Sequence, residues 1–206
     1  MRRLWALSLA AALVGWSFLT PRLPTGRRVA LQAGVGGLLV LVTRAELGLR
    51  PPRLWAGLRT GSAVGAAAVG AVAATTRLGP VRASMAARPT PPSAPGWLLV
   101  RIPVGTVWAE EAAFRAALAA VASRSFGAEG GKALQALSFG LSHVPDARSA
   151  GEPVLPTVLV TAGAGWFFAW LAERSGSLAA PMLAHLAINE SGAVAALLVR
   201  RNRCAT

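Results

Sequence analysis

Val154-Leu-Pro-Thr-Val-Leu-Val-Thr-Ala-Gly-Ala-Gly-Trp166-Phe-Phe-Ala-Trp-Leu171 runs for most of a bilayer crossing without one ionisable side chain. A helix of about 20 apolar residues spans the hydrocarbon core of a membrane, so this stretch reads as a transmembrane helix and sets the class of the chain. Composition agrees: 54% of the 206 residues are hydrophobic and 14% are charged, whereas soluble domains carry about 25% charged residues. The sequence predicts an all-α, polytopic membrane helical bundle, with length for about six to seven transmembrane helices joined by short loops.

Outward from that stretch, further apolar runs cover Leu4 to Leu19, Val29 to Thr43, Thr60 to Thr76, Trp97 to Ser123, Lys132 to Val144 and Leu178 to Val199. Met1-Arg2-Arg3 ahead of the first run resembles a signal peptide, but no small-x-small cleavage site follows, and the run reads as a retained helix. Val29 to Thr43 is short for a span and needs a thinned bilayer or outward-reaching Arg28 and Arg44. In Thr60 to Thr76, Gly61 and Gly65 have the spacing of a close helix–helix contact, although a small-residue helix without one is the equal alternative. Pro80 to Gly96 holds several prolines and reads as a loop dividing residues 1–96, N-terminal helices, from residues 97–206.

The formal net charge of +13 would suit nucleic acid, but the cations form no single patch. Arg2, Arg3, Arg22, Arg27, Arg28, Arg44, Arg50, Arg53, Arg59, Arg77, Arg82 and Arg88 punctuate the apolar runs, where they anchor helix ends and meet anionic headgroups of the lipid bilayer. They flank successive loops, so positive-inside counting does not orient the chain. Cys204 is the only cysteine and Lys132 the only lysine. One cysteine forms no intrachain disulfide and no thiolate metal site. The wealth of Arg, Ala and Gly hints at a bacterium of high genomic GC content, and with it at the cell membrane.

Ionisable groups at bilayer depth cost roughly 2.5–3.5 kcal/mol each on insertion scales, so they persist where they pair or do chemistry. The two histidines of the chain, His143 and His185, and the tandem Glu110-Glu111 fall in three apolar segments. On an α-helix Glu111 and Arg115 are i and i+4 and can pair, whereas Glu110 is turned about 100° away. Glu111 therefore reads as structural and Glu110 as free. His185 and Asn189 share a face by the same rule, as do Phe139 and His143. A carboxylate desolvated inside a bundle can act as a base near neutral pH, and with two imidazoles and an amide it could activate water and stabilise an oxyanion. The plain alternatives are a glutamate paired with an arginine such as Arg101, packing histidines, and an asparagine that only joins helices. Trp97, Trp166 and Trp170 read as interface or packing aromatics.

These residues carry a resemblance. Glu110-Glu111-Ala-Ala-Phe114-Arg115, Phe139-Gly-Leu-Ser-His143 and His185-Leu-Ala-Ile-Asn189 resemble, in order and spacing, the three motifs of the CAAX protease and bacteriocin-processing (CPBP) family of intramembrane peptidases. Glu173-Arg-Ser-Gly-Ser-Leu resembles the segment that precedes the third motif. The similarity covers about residues 97 to 200, and Glu190, directly after Asn189, departs from the family's usual apolar or small residue. The resemblance implies an intramembrane endopeptidase in which Glu110, assisted by His143, activates a water, while His185 and Asn189 hold it or the developing oxyanion. Glu111, Arg115 and Phe139 would support the site. The implied partners are a membrane-embedded or membrane-associated peptide and the bilayer, with no nucleic acid.

Two rivals stand beside that expectation. Glu110, His143 and His185 could hold zinc with an open fourth position. The spacing leans the other way, because a zinc peptidase commonly places two histidines at i and i+4, and here the partner of His185 is Asn189, a poor zinc ligand. The other rival is a non-catalytic immunity or adaptor protein, or a proton-coupled transporter; no inverted repeat supports the last. Cys204 is followed by two residues, one short of the C-a-a-X box that prenylation needs, so the protein is not expected to be its own CAAX substrate.

Overall fold

In lipid, a segment must satisfy its backbone hydrogen bonds internally, and each apolar run of this chain does so as a helix. The computed structural model describes residues 1–87 and 91–203, and among them there are helices and no strand. Arg88 and Cys204, both weighed above, lie outside the described residues. The elements are α1 (Arg2–Leu19), α2 (Thr25–Thr43), α3 (Arg53–Thr75), α4 (Gly79–Ala87), α5 (Ala94–Gly96), π1 (Trp97–Trp108), π2 (Glu111–Leu118), α6 (Ala119–Ser142), α7 (Val144–Ala150), α8 (Val154–Ser175) and α9 (Ala179–Arg203). Among the described residues, Arg2–Arg22, Val154–Ser175 and Ala179–Arg201 are long and apolar enough to cross a membrane. A fourth crossing arises if α3 and α4, bent by 98° to each other, make one broken span. A count of six to seven has to include helices with charges along their length, such as α2 with Arg27 and Arg28, and π2 with Glu111 and Arg115.

One segment differs from the sequence reading. Pro80 to Gly96 is not all loop, because α4 occupies Gly79–Ala87 and packs against α9. Pro80 lies in the first turn of α4, where its missing N–H has no intrahelical partner to lose, and the residues behind it are compatible with a helix. Pro103 likewise interrupts nothing. It sits inside π1, whose wider i→i+5 turn replaces the i→i−4 ladder that a mid-helix proline breaks. Regular α geometry returns at Ala109 and Glu110 before π2 begins. The break falls instead at Gly127, whose φ of 77° within α6 suits glycine.

Three close approaches position the site. Gly57, Gly61 and Gly65 of α3 are buried against α9, and a Cβ at Gly61 would stand 2.8 Å from the carbonyl oxygen of Ala180 and 2.9 Å from the Leu183 Cβ. Of the two readings of this stretch, the structure has the contact face. On α2, a Cβ at Gly36 would lie 3.0 Å from the carbonyl oxygen of Ala109, so α2 rests directly on the junction of π1 and π2. The Trp108 Nε1–H donates to the Ala33 carbonyl at 3.2 Å and fixes the same crossing. Gly140 brings α6 equally close to α8, at Val158 and Ala162. The central core joins Leu9 and Leu13 of α1 to Phe114, Leu118, Val121 and Phe139. Leu38, Leu41, Leu99, Leu155, Leu159 and Val160 are exposed on the outside; apolar surface on this scale in a helical bundle meets lipid.

Candidate active site

Glu111 and Arg115 lie inside the bundle with fully buried side chains, 3.4 Å apart from Glu111 Oε2 to Arg115 Nε. The contact has ion-pair distance without hydrogen-bond geometry: Glu111 Oε2 and all three guanidinium nitrogens lack a hydrogen-bond partner among the described residues. Aromatic faces take up the cation instead. The Arg115 Cζ lies 3.7 Å from the centroid of the Phe139 ring and 5.2 Å from that of Phe168, distances at which ring quadrupoles attract a desolvated cation.

The other oxygen of Glu111 reaches farther than one helix. Oε1 is 2.8 Å from Nδ1 of His185 on α9. A carboxylate only accepts, so Nδ1 carries the proton and the ring turns Nε2 towards Glu110, whose Oε2 stands 3.9 Å away. Glu111 thus fixes the orientation of an imidazole, a contact that pairing along a single α-helix could not reveal. Phe168 stacks on the same ring, with centroids 5.1 Å apart and planes inclined by 27°. Glu110 is the more open acid of the two, with 26% of its side chain exposed, yet its Oε2 is buried without a hydrogen-bond partner among the described residues.

His143 closes the end of α6. Its Nδ1 lies 2.8 Å from the Phe139 carbonyl oxygen, which can only accept, so this ring too presents Nε2 as its free nitrogen. Phe139 stands edge-on to the ring at 4.6 Å. Glu110, His143, His185 and Asn189 all line one cavity of about 260 Å³. Glu111 and Phe139 lie behind it, against His185 and His143. Glu190 does not line the cavity; its Oε1 is buried without a partner among the described residues.

The sequence reading missed part of this wall. Thr25, Arg28 and Gln32 from α2, Thr106 from π1 and Asp146 from α7 line the cavity too. Arg28, Gln32 and Gly36 recur at i, i+4 and i+8 on one face of α2, and that recurrence was the available signal. Asp146 follows His143 by three residues, also a same-face spacing. Arg101, weighed above as a partner of Glu110, lines the cavity without forming an ion pair with it. Nothing in the sequence marked Phe168. Among the described residues no group of three His, Cys, Asp or Glu side chains is arranged to hold a metal ion. In both His143 and His185 the Nδ1 is held by an oxygen and Nε2, the nitrogen a metal would take, is left free.

Fold and site together define a helical membrane protein with a buried acid–imidazole cavity. Residues 92–190 match the family of Rce1-like proteins, described as type II CAAX prenyl endopeptidase Rce1-like. This stretch, just under half the chain, is similar to that family of membrane proteases, in agreement with the motif resemblance. No curated protein and no solved structure matches the chain.

Proposed function

We propose that the protein is an intramembrane endopeptidase of a bacterial cell membrane that hydrolyses a peptide bond of a membrane-embedded or membrane-associated polypeptide with a glutamate-activated water. The observation that carries this reading is the separation of Glu110 Oε2 and His185 Nε2 by 3.9 Å at the cavity wall, with Glu111 holding the far side of the imidazole at 2.8 Å. Two polar atoms set slightly beyond hydrogen-bond distance can hold one water in common. Glu110 takes a proton from that water as its oxygen bonds to the carbonyl carbon. The Asn189 amide and the His185 ring steady the water or the oxyanion that forms. The C–N bond then breaks as the proton passes to the leaving amine nitrogen, with His143 assisting the transfer through its Nε2. Atoms balance with water as the only co-reactant, and no step is routed through a metal. Phe139 and Arg115 keep the supporting side of the site rigid.

The test is proteolysis by detergent-purified protein, with fragments identified by mass spectrometry from membrane polypeptides that accumulate in cells carrying Glu110→Gln. Cleavage by the wild type and none by a folded Glu110→Gln protein is the expected result. Full turnover by purified Glu110→Gln would falsify the mechanism.

A further inference from the structure

Proteolysis as described has no use for Glu190. It is the central residue of the span Ala179–Arg201 on α9, about 16 Å along the helix from either end at 1.5 Å per residue. Its side chain is only partly buried, yet Oε1 is buried without a hydrogen-bond partner, and among the described residues no cation stands at ion-pair distance from it. Asn189 faces the cavity, and Glu190 is turned about 100° away from it. Packing places Glu190 on a seam. Ala187, three residues before it, meets Gly65 of α3, where a Cβ would stand 3.1 Å from the Ala187 Cβ. Ala193, three residues after it, is buried with Ile102 and Val107 of π1. Glu190 therefore lies between the side of α9 that holds α3 and the side that holds π1. The helices α3 and α9 run parallel, since Gly57 meets Ser177 and Ala179, Gly61 meets Ala180 and Leu183, and Gly65 meets Ala187. The next turn brings Val69 to the level of Glu190. Val69 is 45% exposed there, and Val194, one turn further along α9, is 42% exposed.

An ionisable side chain in the middle of a bilayer is held against a cost that pairing with a cation reduces. Depth decides what brings that cation. Lipid amines sit with the headgroups, about 15 Å from the midplane of a ~30 Å hydrocarbon core, so they do not reach Glu190. A metal ion needs several ligands, and among the described residues no group of His, Cys, Asp or Glu gathers here. A second copy of the chain does not supply the cation either. In a dimer whose two-fold axis runs along the membrane normal, equal depths meet, which sets Glu190 against Glu190. Arg59, the deepest cation of α3, lies ten residues before Val69, about 15 Å away in depth. There remains a cation carried to this level by another transmembrane helix, which satisfies its own backbone in lipid and can lay apolar side chains on the exposed valines. We propose that the seam of α9 between α3 and π1 docks a transmembrane helix of a different membrane protein with a lysine or arginine near its middle, and that Glu190 is the counter-ion. The docked helix lies outside the cavity, so the inference goes beyond the peptidase reading and does not rest on it.

Association is measured by energy transfer in phosphatidylcholine vesicles, between donor-labelled full-length protein and acceptor-labelled peptides of about 20 leucine and alanine residues. The peptides differ only at the central position, which is lysine, leucine or glutamate. The lysine peptide should associate at least tenfold more tightly than the leucine peptide. Glu190→Gln should bring that ratio close to one, and Glu190→Lys should transfer the preference to the glutamate peptide. Thermal unfolding of each variant is read in parallel, and the lysine–leucine comparison on the unmutated chain needs no variant to fold. Equal association of the two peptides, including no measurable association of either, overturns the proposal. So does a lysine preference that survives Glu190→Gln, which would assign it to the cavity acids. A last arm replaces the peptides with acceptor-labelled copies of the chain itself: transfer between copies that Glu190→Gln abolishes would give the seam to a second copy, and the choice of partner would be lost.

Discussion

At the residue scale the two adjacent glutamates have different environments, and their substitutions should separate. Glu111→Gln leaves Arg115 buried with no counter-ion and weakens the hold on His185 Nδ1; breaking a buried pair from one side costs about 3–5 kcal/mol. This variant should lose several degrees of thermal stability in detergent as well as turnover, whereas Glu110→Gln, which touches an oxygen without a hydrogen-bond partner, should keep its melting temperature and lose turnover alone. Equal melting temperatures for both variants would contradict the division. Phe139→Leu tests the cation's other neighbour: with the ring gone from 3.7 Å beneath Arg115, about 2 kcal/mol of cation–π attraction is lost, and the midpoint should fall even though the core volume is nearly kept. Metal dependence is decided by elemental analysis of active, purified protein with chelator titration. The pairing of His185 at i+4 with Asn189, a poor zinc ligand, predicts substoichiometric zinc and activity indifferent to the chelator; stoichiometric zinc, with activity lost on chelation and restored by zinc, would sink that version.

At the element scale, what was legible in the sequence depended on whether a signal ran along one helix or between several. Apolar runs gave the helices, since these are written locally, and the spacing of Gly61 and Gly65 offered a contact face that only the docking of α3 on α9 decided. Glu110, His143, His185 and Asn189 could be grouped because motif order substituted for tertiary information. The Glu111–His185 contact, the Phe168 stack and the Arg28 wall were out of reach, because each joins residues whose neighbourhood exists only once α2, α8 and α9 have docked. The π-helical turns were illegible for a further reason: a proline inside an α-helix ordinarily breaks it, while widening the turn accommodates Pro103. Packing of α3 against α9 bears on the site through His185 and Asn189, which α9 carries. Gly61→Val would place side-chain atoms where even a Cβ meets Ala180 oxygen at 2.8 Å. Overpacking of this kind costs typically about 1–3 kcal/mol, so the variant should unfold at lower temperature and turn over more slowly, while Gly70→Val, with open space around it, should behave as wild type. Indistinguishable melting curves for the two would mean that the α3–α9 contact does not hold α9 in place.

At the scale of the whole molecule, a division near residue 96 separates helices that need each other. α1 packs on α6, α2 on both π1 and π2, and α3 on α9, so every major element of the first 91 residues covers a surface of the matched stretch. In a bilayer, lipid can replace apolar contacts at little cost, but it cannot replace the close fit of Gly36 on Ala109 or supply polar neighbours for a cavity wall. Removing the N-terminal helices would open that cavity to acyl chains and leave Glu110, Arg101 and His143 facing hydrocarbon. Residues 92–206 expressed alone should therefore enter the membrane poorly, aggregate in mild detergent and show no proteolysis, although they contain every motif residue. Co-expression with residues 1–91 should restore a monodisperse complex with cleavage activity, because the halves meet through preformed helix faces. The measurement is size-exclusion chromatography and turnover of the fragment, the co-expressed pair and the intact chain side by side. A fragment that purifies as a single species and cleaves at the rate of the intact chain would establish that the N-terminal helices, Arg28 included, form no part of the working site.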